Sequence, residues 1–362
     1  MEKMKLFWGI LICMLVMVTH AEALGGESYS YITEANVSGT TTRQQSVSTA
    51  ESNATLSSYT SMQDYTGKYV IPGLKTTLTK TGSSYYVVNN RFAPQGICVA
   101  GQYLLISAYD VDNVYNSVIY VLDVTNNKYI MTIVLPMVEH VGGIAYDSDK
   151  SCIWVCNGGY VSYFSYNLLK TAATTISSQT GSETYEKYGI SLSNFAGSRM
   201  VKTTASYCTY FDGMLWVGEF DETTTSDIYA YTVSSSYTLT AKYIMEAPAK
   251  TQGMCFYKSG NTVYLVTSCS YKRNIESQLI IYKPSYSSPQ DVSGQTYDRI
   301  LKNTRVKTLT FSPMTEGICI SGSKMYVLLE SGAIEYSSNY KVDHGIFAID
   351  QYLIYNVSKI TL

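Results

Sequence analysis

Charge is scarce in this 362-residue chain: Asp, Glu, Lys and Arg together make up 15%, against roughly 25% in an ordinary globular protein. The 26 basic and 28 acidic residues nearly cancel, leaving a net charge of −2. No basic field is therefore present to draw nucleic acid or an anionic membrane. Histidine occurs only 3 times, too few for a metal centre built on several imidazoles, and no metal or cofactor is expected. Patterns of the G-x-S-x-G, H-E-x-x-H and P-loop types are missing, as is a complete EF-hand loop. That weakens any reading as a serine hydrolase, zincin or nucleotide enzyme. No amphipathic helix of useful length is read, and no apolar run reaches the ~18 residues of a membrane-spanning helix.

What is present is apolar and aromatic. Hydrophobic residues are 46% of the chain and tyrosine alone occurs 35 times, ample for a large core and opposed to disorder. At the N-terminus, Lys3 and Lys5 precede the uncharged run Leu6 to Val18, and Ala21-Glu22-Ala23 follows. A basic segment, a short apolar segment and a small-residue site describe a secretory signal peptide over residues 1–23. The expectation is a secreted, extracellular protein with no membrane insertion after cleavage. Cys13 leaves with that segment, and Cys98, Cys152, Cys156, Cys208, Cys255, Cys269 and Cys319 remain. An odd number cannot pair completely, and Cys152 and Cys156 stand too far apart along one strand for a disulfide. These cysteines read as small buried hydrophobes, which fits a bacterial exporter with little disulfide machinery.

Residues 24–63 read as a linker, with Ser or Thr at 16 of 40 positions and no apolar periodicity. Asn36-Val37-Ser38 and Asn53-Ala54-Thr55 match the N-glycosylation acceptor, a weak signal in such a tract. Residues 64–362 read as one repeat domain. Pro94-Gln95-Gly96-Ile97-Cys98 introduces two apolar runs, Tyr103–Ser107 and Ser117–Asp123, and the same grammar returns four times. The later copies open at Val141-Gly142-Gly143-Ile144, Ser206-Tyr207-Cys208, Thr251-Gln252-Gly253-Met254-Cys255 and Thr315-Glu316-Gly317-Ile318-Cys319, and the last closes on Gly345–Ile349. The intervals between Gly96, Gly143, Tyr207, Gly253 and Gly317 are 47, 64, 46 and 64. Longer intervals mark insertions at 171–203 and 283–312. Periods near 40–50 with several strands per unit predict an all-β fold, a five-bladed β-propeller of four-stranded antiparallel blades, with six blades as the alternative. The last blade is expected to be completed by Tyr69-Val70-Ile71 or by Tyr85–Val88, which would hide its edge.

The Q/E-G-[IM]-C turns and the apolar strands behind them resemble secreted propellers of the NHL, YVTN, gluconolactonase-like and streptogramin-lyase-like group, and exported proteins of Gram-positive bacteria. That resemblance spans residues 64–362 and implies fold and location. A partial resemblance to propeller-type glutaminyl cyclases rests on Thr251-Gln252-Gly253-Met254, which matches that family's T-Q-G-[LM] turn. The glutamate that the family carries after its second strand is absent at Val266-Thr267-Ser268. It is present in the fifth unit as Glu330-Ser331-Gly332.

In a propeller the first strand of each blade lines the central channel, so the residue before each turn glycine is a ring position: Gln95, Gly142, Ser206, Gln252 and Glu316. His140 stands two residues before Gly142. A second ring is expected where the second strands end: Ser107, Asn157, Glu219, Ser268 and Glu330. The functional reading makes Glu316, Glu330 and His140 the acid/base candidates. Gln95, Ser107, Asn157, Ser206, Glu219, Gln252 and Ser268 would bind the ligand. The structural alternative has these side chains satisfy backbone groups and hold blades in register. Tyr109, Tyr115, Tyr160 and Tyr271 are rim candidates for sugar stacking. Asp110, Asp112 and Asn113 make half a calcium loop and read as a polar turn; His344 beside Asp343 reads as a structural hydrogen bond. The expected function is a binding or interaction module for a small polar ligand, a glycan or a cell-surface protein. The alternative is a lyase-, lactonase- or cyclotransferase-like enzyme, and the plainest option is a structural envelope protein.

Overall fold

The computed structural model describes residues 29–32, 65–74, 77–80, 87–127, 129–178, 189–285, 304–337, 349 and 351–358. Five antiparallel sheets follow one another along the chain. Blade 1 holds Phe92–Ala100, Tyr103–Asp110, Val118–Asp123 and Tyr129–Val134. Blade 2 holds Ile144–Asp147, Cys152–Asn157, Tyr160–Ser165 and Gly197–Met200. Blade 3 holds Tyr207–Phe211, Met214–Gly218, Ser226–Val233 and Leu239–Ala247. Blade 4 holds Thr251–Ser259, Thr262–Cys269, Ser277–Tyr282 and Arg305–Phe311. Blade 5 holds Thr315–Ser321, Lys324–Leu329, Gln351–Asn356 and, from the other end of the domain, Tyr65–Val70. The protein is an all-β, five-bladed propeller.

Its core is five layers, one between each pair of neighbouring blades. Ile106 and Tyr120 of blade 1 pack on Tyr326 and Tyr352 of blade 5. Val121 and Ile133 pack on Ile153 and Phe164 between blades 1 and 2. Trp154 meets Val217 and Tyr231 between blades 2 and 3, and Trp216 and Ile228 meet Leu265 and Ile280 between 3 and 4. Val266 and Ile281 meet Val327 and Leu353 between 4 and 5. Because a blade is covered on both faces, its middle strands are continuous apolar runs such as Val118–Asp123 rather than alternating ones. Each such Val, Leu or Ile contributes about 1.5–3 kcal/mol by leaving water.

Closure uses the first of the two expected tracts. Tyr65–Val70 pairs antiparallel with Gln351–Asn356, and Ile71 and Leu74 then tuck into the layer between blades 5 and 1. Val87–Asn89, in the other expected tract, belongs to a small separate sheet with Thr77–Lys80 and Tyr29–Ile32. The expected closing strand Gly345–Ile349 lies mostly outside the described residues, and the blade's third strand is Gln351–Asn356. His344 and Asp343 also lie outside them.

Two expectations need correction. The tract 171–203 is not a plain insertion: it contains the outer strand Gly197–Met200 and most of a 13-residue helix, α1 (Tyr166–Ser178). Leu169, Ala173 and Ile176 recur on one face and bury against blades 1 and 2. With Thr and Ser filling most of the second half of the helix and Leu168 turned outward, the buried face makes a weak periodic signal, which is why the sequence hid it. The same tract adds Gly189–Ser191 as a fifth, parallel strand on blade 1. The tract 283–312 likewise carries the outer strand of blade 4.

Glycines set how closely the blades meet. A Cβ on Gly317 would stand 2.7 Å from the Gln95 carbonyl oxygen and 3.0 Å from Gly96 Cα. One on Gly143 would stand 2.5 Å from the Cys208 nitrogen, and one on Gly253 would stand 3.1 Å from Gly317 Cα. The recurrent turn glycine is thus where neighbouring inner strands touch backbone to backbone. Further along these strands lies a cavity of about 110 Å3, lined in part by Cys98, Cys208, Cys255 and Cys319. The polar ring residues lie on the other side of the glycines.

Candidate functional site

The turn motif has a structural meaning in three blades. The ladder slips between Pro94 and Ile97, between Thr251 and Gly253, and between Thr315 and Ile318. Each slip is a β-bulge, which re-aims the side chain it carries. The re-aimed residues are Gln95, Gln252 and Glu316.

Blades 5 and 1 bring two of them together. Gln95 Nε2 donates to Glu330 Oε1 at 2.6 Å and to the Pro94 carbonyl at 3.0 Å. Both amide hydrogens are then committed, leaving its carbonyl oxygen to accept. The carboxyls of Glu316 and Glu330 hydrogen-bond each other. All three side chains are buried, at 3%, 4% and 6% exposure. Two ionised carboxylates at this depth would each lack water and repel the other, so the pair holds a proton at neutral pH. Burial, then the neighbouring Glu330 charge, keeps Glu316 well above the usual carboxylate range. Burial also pushes Glu330 up to about 7, against hydrogen bonds from Tyr336, Gln95 and Glu316 and the nearby charge of Arg273. Three donors converge on Glu330 and favour its carboxylate. Glu316 is the partner that carries the proton.

A short helical turn, α2 (Ile334–Ser337), completes the surroundings. The hydroxyls of Tyr336 and Tyr109 lie 3.4 Å apart, and the Tyr109 ring lies 4.4 Å from the His140 ring. The Arg273 guanidinium from blade 4 sits 5.1 Å from the Tyr336 ring centroid and donates to the Glu335 carbonyl at 3.0 Å. Arg91 from blade 1 pairs with the Glu335 carboxylate at 2.5 Å and with Asp112 at 3.0 Å. Residues of blades 1, 4 and 5 therefore meet over the carboxyl pair. His140 is solvent-exposed, yet desolvation by the protein around it lowers its pKa.

No family model matches the chain, and no curated protein matches it. Among solved structures, a glutaminyl cyclase from Myxococcus xanthus is similar at 8% identity, over 73% of this chain and 90% of that one, with a TM-score of 0.39. A likeness so distant carries no residue roles across.

The other expected site residues fall elsewhere. Ser107 Oγ accepts from the Gly96 N–H at 3.0 Å and donates to the Val141 carbonyl at 2.7 Å, tying blade 1 to blade 2. Ser268 Oγ donates to the Thr315 carbonyl at 3.0 Å and ties blade 4 to blade 5 in the same way. Both are fully buried. Gln252 donates to the Ser270 carbonyl at 3.4 Å. Asn157 reaches Ser162 at 3.5 Å, and Glu219 accepts from Thr203 at 2.6 Å. The Ser206 backbone N–H donates to Gly218 at 2.9 Å.

Strand register also divides the expected second ring. Ile106 opposes Ile97, Thr267 opposes Met254 and Val327 opposes Ile318. Counting on from these, Ser107 and Ser268 share a level with Leu328, while Glu330 stands two residues further out with Tyr109 and Ser270. Asp110 caps a turn, accepting from the N–H groups of Val114 at 2.9 Å and Tyr115 at 3.0 Å, so the polar-turn reading describes it.

Sequence reasoning missed Tyr336, Arg273 and Arg91, and placed Tyr109 on the rim as a sugar stacker. Tyr109 could have been found by aligning the ends of the second strands, since it stands level with Glu330. Tyr336 follows a turn and carries no periodic signal.

Proposed function

We propose that this chain is a small-molecule-binding propeller that acts outside the cell after export and holds a small polar ligand at the channel mouth, over Glu316 and Glu330. The observation that carries this reading is the buried carboxyl pair with Gln95 at 2.6 Å. Burying two carboxyls costs several kcal/mol and would be disfavoured in a purely structural blade junction. Over the buried pair the mouth offers the part-buried Tyr109 and Tyr336 hydroxyls, so it suits ligands rich in hydroxyl or amide groups, glycans among them. The open face of His140 would form one wall. The test is calorimetric titration with small polyols, glycans and amides against native protein and the Gln95→Ala and His140→Ala variants. Binding tighter than about millimolar that both variants lose supports the reading. A native protein that binds none of these ligands at millimolar levels refutes it.

A second reading is favoured by one observation, the pKa of Glu330 near 7. A carboxylate beside a protonated carboxyl suits general acid–base chemistry at neutral pH. In an enzyme of the lyase, lactonase or cyclotransferase kind, Glu330 would accept a proton and Glu316 would donate one. Glu316→Gln would then abolish turnover of lactone, uronide or glutaminyl test substrates without lowering the melting temperature. Turnover that survives that substitution removes this reading.

A further inference from the structure

We propose that Tyr336 and Tyr109 form a hydroxyl relay through which the enclosed Glu316–Glu330 pair exchanges its proton with solvent. The proposal deepens the site reading above and rests on the carboxyl pair being its centre. The pair is 4% and 6% exposed, so water has little direct access. A phenolic hydroxyl has one proton to donate. An ionised carboxylate can only accept, so in the Tyr336–Glu330 hydrogen bond Tyr336 is the donor. Its oxygen is then left to accept, and the Tyr109 hydroxyl stands 3.4 Å away as the donor. The donor chain therefore runs one way, from Tyr109 through Tyr336 to Glu330. At 3.4 Å the outer link is long, but thermal displacements of about 0.5 Å bring it within hydrogen-bonding range.

The transfer balances. Hydronium outside gives a proton to the Tyr109 oxygen as Tyr109 passes its own to Tyr336 and Tyr336 passes its own to Glu330. Water is released, each tyrosine gains one proton and loses one, and Glu330 becomes a carboxylic acid. Rotation of the two hydroxyls then resets the chain. Burial raises both phenol pKa values, so neither tyrosine is left as an anion in passing. The groups facing this chain are Arg273 from blade 4, Glu335 on the same turn, Arg91 and Asp112 from blade 1, and His140 beside Tyr109.

The test follows the infrared carbonyl band of the protonated carboxyl after transfer into deuterated buffer. Tyr336→Phe and Tyr109→Phe are compared with native protein and with Tyr271→Phe, a tyrosine of blade 4 outside the chain. Both relay variants are expected to exchange about tenfold more slowly, with Tyr271→Phe unchanged. Tyr109→Phe leaves the bond to Glu330 in place, so its band should keep the native position while its exchange slows. A purely structural role would move stability or band position and leave the rate alone. Exchange within about twofold of native in Tyr109→Phe, which decides the matter even where Tyr336→Phe fails to fold, overturns the relay. Absence of any protonated-carboxyl band in native protein overturns the pair and the relay together. Slowed exchange in a protein that binds no ligand supports the relay and removes only the ligand reading.

Discussion

Replacing Glu316 by Gln tests where the shared proton sits. In the unfolded chain both carboxyls ionise near the ordinary value of 4.5, whereas folded Glu316 stays protonated far above it. Glu330, pushed up to about 7, adds to the fall in stability below that pH in native protein and variant alike. Glu316 by itself holds one proton in the fold that the unfolded chain loses, so its own contribution falls as pH rises. The slope is about 1.4 kcal/mol per pH unit, or about 3 kcal/mol between about pH 5 and about pH 7. An amide at 316 donates to Glu330 as the protonated carboxyl does and has no such proton to lose. Native protein and variant should therefore melt together near about pH 5. The variant should gain about 6 °C over native by about pH 7, at roughly 2 °C per kcal/mol for a domain of this size. Thermal unfolding of both proteins across this range is the assay, and the difference between them cancels most other titrating groups. Parallel curves would mean that Glu316 is ionised in the fold, and the proton assignment would be wrong.

The remaining expectations concern the ring itself. Gly143→Ala drives a methyl to 2.5 Å from the Cys208 nitrogen and should cost about 1–3 kcal/mol by overpacking. Gly159→Ala, with nothing within 4 Å, should be near neutral; equal melting temperatures would refute backbone contact at the axis. Deleting residues 65–70 strips Gln351–Asn356 of its outer partner and should give oligomers in light scattering, because a bare edge strand pairs with other chains. A deleted protein that stays monomeric with a native melting curve counters the closure. All seven described cysteines are free and buried, and burial pushes the Cys152 thiol up to about 12. They should ignore a disulfide reagent until denaturant is added, and rapid labelling of several in native protein would contradict the packing.

The number of blades was legible in the chain because each blade opens with the same local event. An apolar strand needs a bulge and a glycine where it nears the axis, and Gly96, Gly253 and Gly317 mark that need. Apolar strands between two covered faces, the free cysteines and the candidates Gln95, Glu316 and Glu330 follow from the same local grammar. Partnership does not. Gln95 and Glu330 are 235 residues apart, Tyr109 and Tyr336 are 227 apart, and both pairs meet where the inner strand of blade 5 packs on that of blade 1. Register, too, was settled by pairing: a bulge shifts what lies opposite it, and that shift set Ser107 and Ser268 to holding blades while Glu330 reached the mouth. The proton's place depends on how many donors reach each oxygen, a matter of distances between blades that no stretch of sequence contains.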